Sequence, residues 1–219
     1  MSVLSKRILT LIGVVLLLIV GGCDTANKEP DIINDAVEIV DCNLETKKPI
    51  VVLKNLSDKN LRDVRVKLTS KDDNGTVVGV REGNFGITTD LAMVPGQQVG
   101  MVLNLGNGKF SPESKLTWEI ASEITTMIPP KISVLSSSMV IDNGNPVVSG
   151  EIRNESTQNA SVDMCFDYFR NGKIINSCSA VYADTHNIPP GKIVPFSEKA
   201  YFLPAVPDSY QIYFLYQGQ

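Results

Sequence analysis

From Ala36 onward, apolar and polar residues alternate over short stretches, and clusters of turn residues break the pattern about every ten residues. A period of two marks a strand covered on one face and exposed on the other. Val64, Val66 and Leu68 share one face of such a stretch, with Asp63, Arg65, Lys67 and Thr69 on the other. Val162, Met164, Phe166 and Tyr168 repeat the pattern, with Ser161, Asp163, Cys165 and Asp167 opposite. No stretch of helical length keeps a 3.6-residue period. The pattern therefore predicts an all-β chain of half-buried antiparallel strands.

These two strands belong to an internal repeat. Pro49-Ile50-Val51-Val52 followed by Asn55-Leu56-Ser57 returns as Pro146-Val147-Val148 followed by Asn154-Glu155-Ser156. Each copy then has its alternating strand, an Asn-Gly (Asn74-Gly75, Asn171-Gly172), and an aliphatic pair (Val77-Val78, Ile174-Ile175). A Pro-Gly turn follows, Val94-Pro95-Gly96 and Pro189-Pro190-Gly191, and the copies close near Trp118-Glu119-Ile120 and Tyr213-Phe214-Leu215. Two tandem Ig-like antiparallel β-sandwich domains are expected, at 36–127 and 128–219. Met127-Ile128-Pro129-Pro130 is their expected joint, because proline stiffens a short linker. Val64, Val66, Leu68, Met101, Leu103 and Trp118 are the expected core of the first. Val162, Met164, Phe166, Tyr168 and Phe196 are that of the second. The cysteine pair and tryptophan of antibody domains have no counterpart here.

The order of these pieces resembles the FxLYD-type domain of prokaryotic envelope lipoproteins. There an Asn-Ser segment leads into an alternating strand, a hairpin with glycine and a Pro-Gly turn. The likeness covers Pro49–Leu103 and Pro146–Phe202. The first copy keeps the acidic hairpin Asp72-Asp73-Asn74-Gly75, whereas the second has Phe169 where that aspartate would stand. The resemblance implies an extracytoplasmic β-sandwich without catalytic residues.

The N-terminus fits such a location. Lys6 and Arg7 precede an uncharged, almost wholly apolar run from Ile8 to Val20, followed by Val20-Gly21-Gly22-Cys23. A charged start, a short apolar run and small residues make a secretory signal peptide, expected at 1–22. The ending resembles the lipobox of prokaryotic lipoproteins. That resemblance implies that Cys23 becomes the first mature residue and carries thioether-linked diacylglycerol. Its two acyl chains make the anchor stable, since one chain alone binds a bilayer only marginally. Residues 23–35 are then the lipidated cysteine and a flexible polar tether. Asp24 resembles the inner-membrane retention signal of enterobacterial lipoproteins. The expected place is the extracytoplasmic face of the cell membrane.

Charge removes one class of partner. The chain carries 20 basic and 24 acidic residues for a net charge of −4, and loss of Lys6 and Arg7 with the leader makes it more negative. Nothing attracts nucleic acid or anionic headgroups broadly.

Candidate chemistry is sparse, and no enzyme, cofactor or metal site is expected. His186 is the only histidine. A Ser/His/Asp triad needs no more, but a lone histidine in a polar loop is far more often a solvated loop residue. One histidine with three non-lipid cysteines makes no zinc site of familiar spacing. Asp72-Asp73-Asn74-Gly75 groups oxygen ligands as a calcium loop does but lacks the later bidentate Glu, and a β-turn uses the same residues. Asn104–Lys109 (NLGNGK) is expected to be a hairpin turn, not a phosphate cradle. Asn55-Leu56-Ser57 and Asn154-Glu155-Ser156 fit the glycosylation sequon, but their matched places mark them as turn residues. The long polar segment from Asp184 to Pro190, with His186 and Asn187, is the candidate binding loop.

The cysteines carry the sharpest geometric expectation. Asn171-Gly172 suits a two-residue type I′ hairpin turn. Counting outward from it sets Cys165 directly opposite Cys178, at a spacing a disulfide spans. A Cys165–Cys178 disulfide on the outer face is expected, leaving Cys42 unpaired; a three-residue loop would instead set Cys165 against Ser177. In function, the sequence points to a membrane-anchored module that binds, or spaces, an envelope protein or polymer. The alternative is an accessory subunit or small-ligand receptor with a pocket between domains near Pro129-Pro130.

Overall fold

The computed structural model describes residues 35–44, 49–84, 91–108, 115–180, 185–201 and 203–217. Cys23, Asp24, the leader, most of the tether and Asp184 lie outside them. The first half supplies β1 (Val37–Asn43), β2 (Ile50–Asn55), β3 (Asn60–Lys71), β4 (Val77–Asn84), β5 (Leu91–Met93), β6 (Gln98–Val102), β7 (Leu105–Gly108) and β8 (Lys115–Thr125). The second supplies β9 (Ile132–Asp142), β10 (Asn145–Asn154), β11 (Val162–Arg170), β12 (Lys173–Ala180), β13 (Ile193–Lys199) and β14 (Ser209–Gln217). The protein is all-β, and its ladders are antiparallel.

The repeat is visible in the topology. In the first half a β1-β2-β6 sheet lies over β4-β3-β8; in the second, β9-β10-β13 lies over β12-β11-β14. The expected inward residues do form the cores. Val64, Val66, Leu68, Met101 and Leu103 are buried together with Trp118 packed against them. Val162, Met164, Phe166, Tyr168 and Phe196 are buried in a second cluster.

The halves nevertheless share structure. Short β5 pairs with β3 on one side, through Leu61↔Met93, and with β14 on the other, through Tyr216↔Ala92 and Gln217↔Leu91. One eight-stranded sheet therefore runs from β12 across to β7. Cys165, Tyr213 and Leu215 of the second half are buried in the first half's core cluster. A third cluster joins Ile50 and Val52 of β2 to Ile174 of β12, with Val102 and Phe169 against it.

This arrangement corrects the expected outer face of β11. Asp163, Cys165 and Asp167 alternate away from the second core, as the pattern requires, yet all three are buried. Their face meets the first half instead of water. The alternation holds but its polar side does not face water, because a polar row can equally face another sheet.

NLGNGK is also corrected, as far as it is described: Leu105–Gly108 is an edge strand, pairing with β4 from Glu82↔Leu105 to Gly79↔Gly108. Gly106 and Gly108 take φ of 92° and 120°, and a Cβ on Gly108 would lie 2.2 Å from the Gly79 Cα. The glycines thus serve close strand approach, not a turn.

Candidate functional site

The cysteines do not meet. Asn171 and Gly172 have φ of 52° and 74°, as the predicted turn needs, and Arg170↔Lys173 and Phe169↔Ile174 pair as counted. The register then shifts, and Tyr168 pairs with Asn176, leaving Ile175 as an extra residue on β12. Beyond that bulge Cys165 faces Ser179 and Cys178 faces Phe166. Successive residues of a strand point to opposite faces, so a one-residue shift sends the two thiols apart. Cys165 joins the first core cluster and Cys178 packs against the second. Both cysteines are free, as is exposed Cys42.

The bulge places a hydroxyl where the thiol was expected. Ser177 pairs with Asp167 across the ladder, and its Oγ donates to the Gly100 carbonyl at 3.0 Å. The Tyr213 hydroxyl donates to the same carbonyl at 3.0 Å and approaches Asp167 Oδ1 at 3.4 Å. The Gly100 N–H donates to the Asp167 carboxyl, and the Ser177 and Tyr213 hydroxyls lie close enough to it to favour its charged form. A Cβ on Gly100 would stand 2.2 Å from Asp167 Oδ1. Glycine is required there because the carboxyl of β11 presses against the backbone of β6.

Burial dominates the electrostatics of this cluster. It pushes the Asp167 carboxyl up to about 6, against the Gly100 N–H and the two nearby hydroxyls, which favour the charged form. Burial likewise raises the Cys165 thiol well above its usual value, with Asp167 and Asp163 adding to the effect. Cys178 is pushed up to about 12, first by burial and then by Glu198. Thiols held protonated and out of solvent are not nucleophiles at neutral pH. The cluster is thus suited to holding two sheets together, with one titratable group at its centre.

The described part of the candidate loop is tied down. Ala160 and Ile188 exchange backbone hydrogen bonds of 2.9 and 2.7 Å. The Asn187 N–H donates to Ser161 Oγ at 2.9 Å, and Asn159 Nδ2 donates to Asn187 Oδ1 at 2.7 Å. Thr185 is fully buried, while His186 stays half-exposed. Of the predicted group, His186 and Asn187 are adjacent on a pinned segment. Asp72 acts as the turn interpretation requires: its Oδ1 accepts the N–H groups of Asn74 and Thr76 at 2.9 and 2.8 Å. Among the described residues no group of three or more His, Cys, Asp or Glu side chains could hold a metal ion.

A cavity of about 640 Å³ lies within the first half, lined by residues that include Arg65, Lys67, Glu82, Leu105, Trp118 and Glu119. Arg65 and Lys67 of β3 alternate with the core residues Val66 and Leu68, so they face away from the core; Glu82, Leu105 and Glu119 share their row through the strand register. Lys67 and Glu119 form an ion pair of 3.2 Å in it. By the repeat, this is the face that β11 turns toward Gly100 in the second half. The sequence offered no sign of a concavity, since charged residues on a strand's outer face are the ordinary case.

No protein-family model matches the chain, and no curated protein matches it either.

Proposed function

We propose that this chain is a lipid-anchored extracytoplasmic lipoprotein that binds, or spaces, an envelope protein or polymer, and that it is not an enzyme. Cys23 carries the lipid, the residues after it are a tether, and the paired FxLYD-like sandwiches form the working part. The observation that carries this is the fusion of the halves. The β14–β5 pairing and the burial of Cys165, Tyr213 and Leu215 in the first half's core make a stiff unit out of two small sandwiches. Stiffness is what a spacer or a presenting scaffold needs, since sites held on rigid sheets keep their geometry.

The two ends of the unit differ. The first half's β2-β6 face is apolar where the second half docks, with Ile50, Val52 and Val102. The matching face of the second half carries Ser149, Glu151, Pro195 and Ser197, and Ser149 and Ser197 share a 2.9 Å hydrogen bond. That face is more polar than the docking face of the first half, although Val140 and Ile193 are exposed on it as well.

Intact cells decide between partner binding and other roles. Crosslinking followed by purification of the lipidated chain is expected to recover one specific envelope partner. A chain with Cys23→Ser should stay unprocessed by the lipoprotein peptidase and leave the detergent phase. Normal cleavage and unchanged partitioning of that variant would refute the anchor. A small-ligand receptor is the second reading, favoured by the 640 Å³ concavity at Lys67 and Glu119 in place of a pocket near Pro129-Pro130. Ligand-dependent protection of Lys67 from chemical modification would favour it.

A further inference from the structure

We propose that the joint between the two halves is a proton-controlled lock, closed when the Asp167 carboxyl is neutral and loosened when it ionises. Asp167 is only 2% exposed, and it sits where β11 of the second half presses on β6 of the first. Its partners are the Gly100 N–H and the hydroxyls of Ser177 and Tyr213, all neutral. No cation is among them. A buried carboxylate without a cation is costly, because neutral donors replace only part of the hydration it loses.

Competition for donors sharpens the effect. Ser177 and Tyr213 both give their protons to the Gly100 carbonyl, and both also lie within reach of Asp167. When the carboxyl ionises, these hydroxyls are drawn toward it and the Gly100 carbonyl loses donors. When it is neutral, the carboxyl brings a proton of its own and the cluster can satisfy every acceptor. The proton therefore decides how well β6 is held to β11.

The groups around the cluster do not offset the charge. On β11, Asp163 and Cys165 share the face of Asp167 and bring no positive charge to it. β14 brings Tyr213 and β12 brings Ser177, with Cys178 on its opposite face. From the first half, β6 brings no charged side chain to this face. β2 brings Lys54 and β1 brings Glu38 and Asp41, all at least partly exposed and none bonded to Asp167.

The sign follows from burial. The carboxyl lies at about 6 in the fold, above its ordinary value of about 3.9 when unfolded. The folded form holds the proton more tightly, so its advantage is complete below about pH 4 and is lost as pH rises through about 6. Two pK units correspond to roughly a hundredfold change in the folding constant.

Hydrogen exchange of the full-length chain in detergent tests this, comparing wild type with Asp167→Asn at matched pH. Asparagine keeps the shape of the neutral acid and never ionises. Amides of residues 98–102 are expected to exchange alike in both chains below pH 5. Above pH 7 they should exchange tens of times faster in wild type. Equal ratios at all pH values would overturn the proposal. The urea midpoint measured from pH 4 to 8 gives a second readout through its slope, which holds even if Asp167→Asn lowers stability throughout. Wild type should weaken with rising pH and Asp167→Asn should not. A slope that survives Asp167→Asn would assign the titration to another group and sink the lock.

Discussion

Asn55 and Asn154 make the same hydrogen bonds in the two halves. Each is fully buried. Asn55 Nδ2 donates to the carbonyls of Lys59 and Met93 at 2.8 and 3.1 Å, and Asn154 Nδ2 to those of Gln158 and Ile188, both at 2.8 Å. Each Oδ1 accepts the N–H and the hydroxyl of the serine two residues on, Ser57 or Ser156. Each backbone carbonyl accepts the N–H of the Pro-Gly glycine, Gly96 at 2.9 Å and Gly191 at 2.8 Å. One side chain thus ties together the end of a strand, the following loop and the segment before the Pro-Gly turn.

Replacing either asparagine with alanine should destabilise the fold by roughly 1–3 kcal/mol, since it strands one buried carbonyl and takes the partner from a part-buried carbonyl and N–H. Urea denaturation of each variant measures this, and the two losses should be similar. Asparagine-to-aspartate should cost at least as much at neutral pH, because it sets a carboxylate against those carbonyls. A loss within experimental error for either alanine variant would remove the anchor role.

The Asn-Ser pairs were legible as matched turn residues, but their burial was not. A polar side chain surrounded by backbone partners has the same sequence signature as one in water. The inward rows of both halves were readable because alternation encodes them directly. The bulge at Ile175 was not, because either register of Ile174-Ile175 puts an aliphatic residue on an apolar surface. What separates them is the fate of Ser177 and Cys178: the bulge sends the hydroxyl to the Gly100 carbonyl and the thiol to the second core. That choice depends on the first half's Gly100, far away in sequence, which no local pattern contains.

Gly100→Ala should cost about 1–3 kcal/mol, as overpacking a well-filled site does, and the loss should depend on Asp167. A double-mutant cycle with Asp167→Ala tests the contact. Removing the carboxyl makes room for the new methyl group, so the pair should cost clearly less than the two single changes together. Strict additivity would mean that the two residues do not press on each other.

Thiol labelling reports the corrected cysteine geometry. Cys42 is exposed and should react quickly with a maleimide in the folded chain. Cys165 and Cys178 should react only on unfolding, because burial both shields them and keeps them protonated. The mass of the chain should not change on reduction. A mass gain of two hydrogens would restore the Cys165–Cys178 bridge and contradict the register of β12.

The shared sheet also predicts how the halves behave when cut apart. The second half carries its own alternating core, so a chain starting at Pro130 should still form β structure. It would, however, expose Cys165, Tyr213 and Leu215, which the first half now buries, and leave Ile174 and Phe169 without β2 and β6. The Asp167 carboxyl would gain water and lose Gly100. Such an apolar patch beside an open strand edge favours association. The fragment is therefore expected to be less stable than the full chain and to self-associate. Adding the separate first half should restore a one-to-one complex with the full chain's unfolding midpoint. Sedimentation of the fragment, alone and with residues 36–127, checks both outcomes. A monomeric 130–219 fragment as stable as the intact chain would instead show two independent domains, with the Asp167 contact contributing nothing to the fold.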